Sequence, residues 1–164
     1  MSSVEEAILD PEWLEKGACL ATVVSTTGSV PMSQRARMLV CRDGRSAGTV
    51  GGGRLEASVQ AAACEVIAEG KPRLVRHILS KREAGESGLV CGGTVELFLE
   101  PLTREMVHIA AELAATRVKG GRAVLAVVLE AAEGEALSGD RLVVGEDGRC
   151  HGTLGDAKLR DLLC

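Results

Sequence analysis

The sequence predicts an α+β fold in which a single domain contains β-sheets flanked by helices. Two observations support this prediction. Apolar segments rich in β-branched residues alternate along the chain with longer segments of helical spacing. A strand–hairpin–helix unit also occurs twice, at residues 18–59 and 122–163. One mixed sheet holding both copies, or two facing sheets with helices outside, would satisfy this pattern.

The duplication is visible as an ungapped alignment with an offset of 104 residues. Residues 37–59 lie over residues 141–163, and nine of these 23 positions are identical. The same offset places Val23 over Val127. Because two copies with so long a period do not form a solenoid, we expect one domain over residues 1–164.

Local signals predict each element of the first half. Ser3 and Glu6 form a capping box, which predicts a helix that ends at Gly17. Asp43-Gly44 predicts a hairpin turn. The predicted elements are a helix between Ser3 and Gly17, strands at 19–25, 38–41 and 46–50, a helix at 55–68 and a strand at 74–79.

The second half shows the same kinds of signal. Thr103 is placed to cap a helix, and Asp147-Gly148 predicts a second hairpin turn. The polar residues 26–36 and 80–88 are expected to be loops. The predicted elements are a strand at 94–99, a helix at 103–118, strands at 123–129, 141–144 and 150–154, and a helix at 156–163.

Composition limits the classes of function. Aromatic residues make up 1% of the chain and the net charge is −4, so we expect no nucleic-acid partner. The sequence shows neither a membrane-spanning apolar run nor a signal core, so we expect no membrane association and a cytoplasmic location. None of the six cysteines forms a CxxC pair. Reduced thiols are therefore expected, with Cys19, Cys41 and Cys64 in the core.

The first candidate site is the glycine turn at residues 48–56 (GTVGGGRLE). It contains Gly51, Gly52 and Gly53 between a predicted strand and a predicted helix, where backbone N–H groups can hold a phosphate. The second copy has Gly-Asp-Ala in place of these three glycines, so the fold itself needs one of them. The other two indicate either close approach of a ligand or a tight crossing against another strand.

This turn matches no standard nucleotide-binding motif. Glu56 occupies the third glycine position of the dinucleotide fingerprint, and no Lys-Ser or Lys-Thr follows the turn as in a P-loop. Arg54 is either a cation of a phosphate site or a solvated surface residue. A small nucleotide-binding enzyme is a hypothesis that depends on the glycine turns alone.

The second candidate site is the turn at residues 88–96 (GLVCGGTVE). Cys91 is followed by Gly92 and Gly93, so no side chain flanks it on that side. A thiolate can act as a nucleophile or as a ligand for a transition metal. The alternative is a cysteine packed at the start of a strand.

Two carboxylates follow the glycine pairs at short spacing. Glu56 and Glu96 could accept hydrogen bonds from pterin-like N–H groups, or they could be satisfied at the end of a helix or strand. His77 alternates with Val75 and Leu79 on a predicted strand, so we expect it to be structural.

Several motifs occur together in a defined order. They are residues 20–31 (LATVVSTTGSVP), 36–40 (ARMLV), 43–44, 48–56, 88–96 and 100–102. In this order they resemble the XdhC/CoxI family of accessory factors for xanthine dehydrogenase and carbon monoxide dehydrogenase. The resemblance covers nearly the whole chain.

The resemblance implies a chaperone rather than a metabolic enzyme. Such a protein binds the molybdenum cofactor transiently, as a pterin or its dinucleotide form. It serves sulfuration by a cysteine desulfurase and insertion into the apo-enzyme of a molybdenum hydroxylase, and a homo-oligomer is expected. The implied metal ligand is Cys91. The implied cofactor-binding residues are Gly51, Gly52, Gly53, Arg54, Glu56, Cys91, Gly92, Gly93 and Glu96.

The sequence departs from the family pattern in two places. Many members carry Gly-Gly-Cys where this chain has Arg54, which leaves Cys91 as the thiol of the site. Members also continue into a Rossmann-like domain, whereas this sequence ends at Cys164. We therefore expect a short relative, one subunit of a split protein, or a shortened chain. The alternative function is a non-catalytic scaffold that docks a partner enzyme or a separate Rossmann-domain subunit without binding the cofactor.

Overall fold

The chain folds into helices and β-strands, as the sequence predicts, and the α+β class is confirmed. It divides into two compact units, residues 1–103 and 104–164. No helix in the described part of the chain combines the length and apolar character needed to cross a membrane. The computed structural model describes residues 3–28, 30, 35–79, 93–131 and 137–164.

The first unit begins with two short helices where the sequence predicted one. The predicted capping box of Ser3 and Glu6 is present. Asp10 then leaves the helical region and caps a second helix at Pro11, because proline cannot continue a helix but suits its first position. The elements are α1 (Val4–Leu9), α2 (Pro11–Lys16), β1 (Ala18–Gly28), β2 (Arg37–Cys41), β3 (Ser46–Gly48), α3 (Gly53–Glu69), β4 (Arg73–Leu79) and β5 (Gly93–Pro101).

The first sheet has the strand order β3-β2-β1-β5-β4, and neighbouring strands are antiparallel. Helix α3 covers one face, where Leu55 and Val59 pack in a buried cluster with Cys19 and Val95. Arg37 points to the opposite face, where it is paired with Glu5 of α1. Both faces of the sheet are therefore covered by helices.

The second unit is smaller. Its strand order is β6-β7-β8, again with antiparallel neighbours. The structure thus has two sheets rather than the single mixed sheet that the sequence also allowed. The elements are α4 (Arg104–Val118), β6 (Ala123–Val127), β7 (Arg141–Gly145), β8 (Cys150–Gly152) and α5 (Ala157–Leu163).

The duplicated unit is present in both halves of the chain. β7, β8 and the start of α5 follow β2, β3 and the start of α3 by the predicted 104 residues. The first strand of the second copy follows the first strand of the first copy by one residue more than the hairpin does. Ala18 pairs with Cys41, whereas Ala123, rather than Arg122, pairs with Gly145.

Backbone hydrogen bonds give the same correspondence. The N–H of Val23 donates to the carbonyl of Ala36, and the N–H of Val128 donates to the carbonyl of Asp140. The predicted equivalence of Val23 with Val127 is therefore wrong by one residue. The connection between first strand and hairpin is one residue shorter in the second copy, which an ungapped alignment cannot show.

The cysteines differ from the prediction in two respects. Cys150 and Cys164 form a disulfide, so the expectation of reduced thiols is wrong for this pair. Cys64 is exposed on α3, whereas Cys19 and Cys41 are buried as expected. Burial raises the pKa of the Cys19 thiol to about 12, which makes this thiol chemically inert at neutral pH.

Candidate functional site

The first glycine turn connects β3 to α3. Gly51, Gly52 and Gly53 have φ values of 124°, 81° and 59°. Other residues rarely adopt this region of backbone conformation, so the turn depends on glycine. Gly52 is the N-cap of α3 and brings no side chain to satisfy the helix start.

The space above this turn is open with respect to the described residues. A Cβ atom placed on Gly52 or Gly53 would meet no heavy atom of those residues within 4 Å. A Cβ atom on Gly48, in contrast, would overlap the backbone oxygen of Arg37. Among the described strands, therefore, none packs tightly against Gly52 or Gly53, and this favours the interpretation that another molecule approaches the turn.

Glu56 folds back onto the turn. Its Oε1 accepts hydrogen bonds from the N–H groups of Gly52 at 3.0 Å and Val50 at 3.3 Å, and from the hydroxyl of Thr49. The N–H of Gly51 donates to Oγ1 of Thr49 at 3.2 Å. The turn thus satisfies its own amides at residues 50–52. The start of α3 follows directly after these residues, and the first N–H groups of an α-helix lie beyond the reach of its own carbonyls.

Arg54 lies in that first turn and is exposed. Its position two residues after the N-cap Gly52 brings a cation to the helix start. A cation there repels the positive end of the helix dipole, and an anion bound at the helix start would offset this repulsion.

The second turn is described only in part. Cys91 and Gly92 lie outside the described residues. Gly93 begins β5, where it pairs with Gly28 of β1 and Leu79 of β4. The described residues include no group of three or more His, Cys, Asp and Glu side chains that could hold a metal ion. The predicted ligand, Cys91, is outside that set.

Glu96 lies on the other side of the first sheet from α3. Its strand neighbours Val95 and Leu97 pack in the cluster beneath α3, and alternate residues of a strand face opposite sides. Glu96 pairs in register with Arg76 and Ser25. The structure therefore does not bring this carboxylate together with the first glycine turn.

Gly53 and Gly93 lie toward the same end of the sheet. A Cβ atom on Gly17 would lie 3.4 Å from Cγ2 of Ile67, so the end of α3 is beside the start of β1. Helix α3 therefore runs opposite to β1, toward Gly28 at its N-terminus. Because a helix rises less per residue than a strand, α3 is shorter than β1. Measured along the strands, Gly53 therefore lies roughly 15 Å short of the level of Gly28 and Gly93.

His77 is a feature that sequence reasoning missed. It lies on the face of β4 whose Val75 and Leu79 pack against the cluster under α3. Its Nε2 is buried and has no hydrogen-bond partner in the described part of the chain. An unpartnered buried nitrogen is costly, so it is a candidate to bond a bound molecule. The strand pattern around His77 shows only which face it occupies.

The segment that contains the first glycine turn matches a protein-family model. The model of the XdhC and CoxI family matches residues 13–77. A protein of Escherichia coli (strain K12) with the name "Uncharacterized protein YqeB" is 36% identical over 89 residues, which cover 52% of this chain and 16% of YqeB. The molybdenum cofactor insertion chaperone PaoD of the same strain is 36% identical over 93 residues, covering 53% of this chain and 27% of PaoD.

A solved structure shares the fold over most of the chain. The crystal structure of a xanthine dehydrogenase (BH1974) from Bacillus halodurans aligns with a TM-score of 0.70 over 93% of this chain and 45% of that chain, at 23% identity. The likeness shows the fold. The chain thus matches about a sixth to a quarter of the two Escherichia coli relatives and less than half of the solved structure.

Proposed function

Because the model of the XdhC and CoxI family matches residues 13–77, we propose that this protein is an accessory factor that binds the molybdenum cofactor and inserts it into a molybdenum hydroxylase. The similarity to PaoD, a molybdenum cofactor insertion chaperone, supports this proposal. The observation that carries it is the glycine turn at residues 51–53. It lies within the matched segment, and no described residue stands within 4 Å of a Cβ placed on Gly52 or Gly53.

The start of α3 would hold the anionic end of the molybdenum cofactor, which is the cargo of the proposed chaperone. The first-turn N–H groups at Gly53 and Arg54 lie at the positive end of the helix dipole, which favours a phosphate. Glycine at positions 52 and 53 lets that phosphate approach the backbone, since no side chain stands in the way. The guanidinium of Arg54 would add charge to the same site.

Glu56 would preserve the turn when no cargo is bound. Its Oε1 already accepts from the amides of Val50 and Gly52, so the turn keeps its shape in the empty protein. These bonds use Oε1, and we assign Oε2 the role of accepting from N–H groups of a pterin. A preformed site binds the cofactor without the cost of first ordering the turn.

The second turn would contact the metal end of the cargo. We assign the Cys91 thiolate as a molybdenum ligand, with Gly92 and Gly93 leaving room beside it. His77 Nε2 would bond the cargo in the same layer under α3. When bound, the cofactor supplies a molybdenum centre with an exchangeable sulfur, which a cysteine desulfurase would provide. In this arrangement Glu96 does not contact the cofactor.

The remaining parts of the proposal concern the cellular setting. We propose a maturation factor rather than a metabolic enzyme, working in the cytoplasm as a homo-oligomer on a pterin or its dinucleotide form. We also propose that a separate Rossmann-domain subunit completes the binding surface. A scaffold that docks a partner without binding the cofactor is the second candidate. It is favoured by Arg54, which stands where many family members have cysteine.

Purification from cells that synthesise the cofactor tests the proposal. We expect bound pterin, detected by fluorescence after oxidation, and bound molybdenum, detected by elemental mass spectrometry. Cys91→Ala should lower the molybdenum content more than Cys64→Ala, which removes an exposed thiol of α3. Folded protein without pterin or molybdenum would contradict the proposal. A client enzyme captured without pterin in any fraction would support the scaffold.

A further inference from the structure

The second unit contains an apolar groove between β6 and α5. Its volume is about 320 Å³. Its lining includes Ala126, Val128, Leu142, Leu154, Leu159 and Leu163. All of the groove's lining residues belong to the second unit.

The equivalent positions of the first unit form a closed core. They are Ala21, Val23, Met38, Val50, Leu55 and Val59, and all are buried. That core is completed by β5, which pairs with the second edge of β1 and contributes Val95, Leu97 and Leu99. In the second unit, β6 pairs with β7 only, as far as the described residues extend. The groove therefore lies where a strand equivalent to β5 would pack.

The unpaired edge of β6 is apolar and exposed. Val124 is 65% exposed and Leu125 is 40% exposed, whereas their equivalents Cys19 and Leu20 are buried. Backbone groups of Arg122 and Val128 bond toward the hairpin. By alternation, the N–H and C=O groups of the odd-numbered residues 123, 125 and 127 point to the free edge. Such an edge is a template for another strand.

The charges beside β6 identify the strand that fits. Residues 123–129 (AVLAVVL) are uncharged, with Arg122 before them and Glu130 after them. Ala126 is the midpoint, because 122 and 130 are each four residues away. β6 ends at Val127, so the pairing would have to continue the strand to Glu130. An antiparallel copy of this extended segment centred on Ala126 would place Arg122 opposite Glu130 at both ends. Opposite charges across an antiparallel pair stabilise it.

We propose that the second unit self-associates through β6, which pairs antiparallel with β6 of a second copy of this chain. Leu125 and Val127 would then exchange backbone hydrogen bonds across a two-fold axis at Ala126. The two three-stranded sheets would become one continuous six-stranded sheet. This is a closed, isologous interface, and it does not depend on the proposed cofactor chemistry.

Sedimentation velocity of the full chain across a concentration series tests this proposal. We expect a dimer that Val127→Pro converts to a monomer. The substitution removes the N–H of residue 127, which points to the interface. The hydrogen bonds between β6 and β7 within each copy would remain. Circular dichroism confirms that the variant is folded. A folded wild-type chain that stays monomeric would overturn the proposal. A strand of another protein would then be the candidate to pair with the edge of β6.

A charge exchange tests the register without altering the backbone. Arg122→Glu or Glu130→Arg alone should weaken the dimer by about tenfold, since two pairs become repulsive. The double variant Arg122→Glu with Glu130→Arg should return to within about threefold of the wild-type affinity. A dimer that shows no reversal in the double variant would assign the interface to another surface.

Discussion

The two copies of the strand–hairpin–helix unit share the bounds of their hairpin strands and differ at the start of the helix. In both copies the hairpin turn Asp-Gly-Arg is closed by the N–H of the arginine bonding to the aspartate, at Arg45 and Arg149. At the helix start, the second copy uses Asp156, whose side chain accepts from the N–H of Leu159. The first copy has Gly52 there, and Glu56 reaches back from inside the helix. The glycine turn is therefore a feature added to a unit that folds without it.

The copies also differ in how completely they are covered. The β1 strand of the first unit has strand neighbours on both edges. The equivalent β6 has one strand neighbour in the described part of the chain. As a result Leu55 is buried, whereas the equivalent Leu159 is 39% exposed. The same local sequence pattern thus gives a closed core in one unit and an open groove in the other.

The largest expected effect concerns the glycine that both copies share. A Cβ atom on Gly48 or Gly152 would overlap the backbone oxygen of Arg37 or Arg141, and both glycines have positive φ. Replacement by alanine should cost about 3 kcal/mol or more of unfolding free energy, measured by urea titration. Gly44→Ala, at positive φ in open space, is the control and should cost about 1 kcal/mol. Equal losses at positions 44 and 48 would contradict the steric explanation.

The next effect is expected in the second copy and not in the first, because the disulfide lies in the second copy. Cys150 and Cys164 are 14 residues apart and link β8 to the residue after α5. Reduction, or Cys164→Ser, should destabilise the second unit by about 3 kcal/mol. Hydrogen exchange should show the loss in residues 141–163 and leave the first unit unchanged. Cys64→Ser is the matched control, and protection that resists reductant would rule out this role of the disulfide.

Exchanging the helix starts tests what the glycines are for. Gly52→Asp with Gly53→Ala gives the first copy the sequence of the second. Strain at two positive-φ positions is offset by a new N-cap, so stability should change by about 1 kcal/mol. The pterin and molybdenum content of the purified protein should fall. The reverse exchange, Asp156→Gly with Ala157→Gly, should lower stability similarly and leave the bound cofactor unchanged; equal cofactor loss in both variants would contradict the assignment.

The smallest effect concerns the hairpin turn of the first copy. The backbone N–H of Arg45, together with Lys16, holds the pKa of Asp43 well below its usual range. A depressed pKa means that the ionised form contributes stability above the unfolded value of about 3.9 and that this contribution is lost as the pH falls. Between pH 5 and 2, wild-type unfolding free energy should therefore fall more steeply than that of Asp43→Asn. Parallel pH profiles would show that Asp43 does not contribute.

Most individual elements follow from the sequence because their signals are local. The capping box at Ser3 and the Asp-Gly turns are visible in a few residues each, and both occur as predicted. Helix α3 was expected at 55–68 and spans Gly53–Glu69. The capping box at Ser3 and the stop at Gly17 predict one N-terminal helix, which was wrong because a second helix begins at Pro11.

The candidate site was less predictable, because its contacts join residues of different elements. The glycine turn could be found from its composition, but the use of Glu56 to satisfy it depends on how the chain reaches α3. His77 is notable only because its Nε2 lacks a partner, which is a property of the packed sheet. Cys91, the residue on which the sequence placed most chemistry, lies outside the described residues.

The sequence alone determined the α+β class, the duplicated unit and the position of the glycine turn, since each depends on short-range pattern or on identity between segments. Only the tertiary structure decided the one-residue shift of the first strand, the separation into two sheets and the pairing of Cys150 with Cys164. Strand partners and disulfides are selected by contacts between distant residues, and short segments do not encode those contacts. For the same reason, two nearly identical hairpins have different neighbours: β1 lies inside a sheet and β6 at an edge.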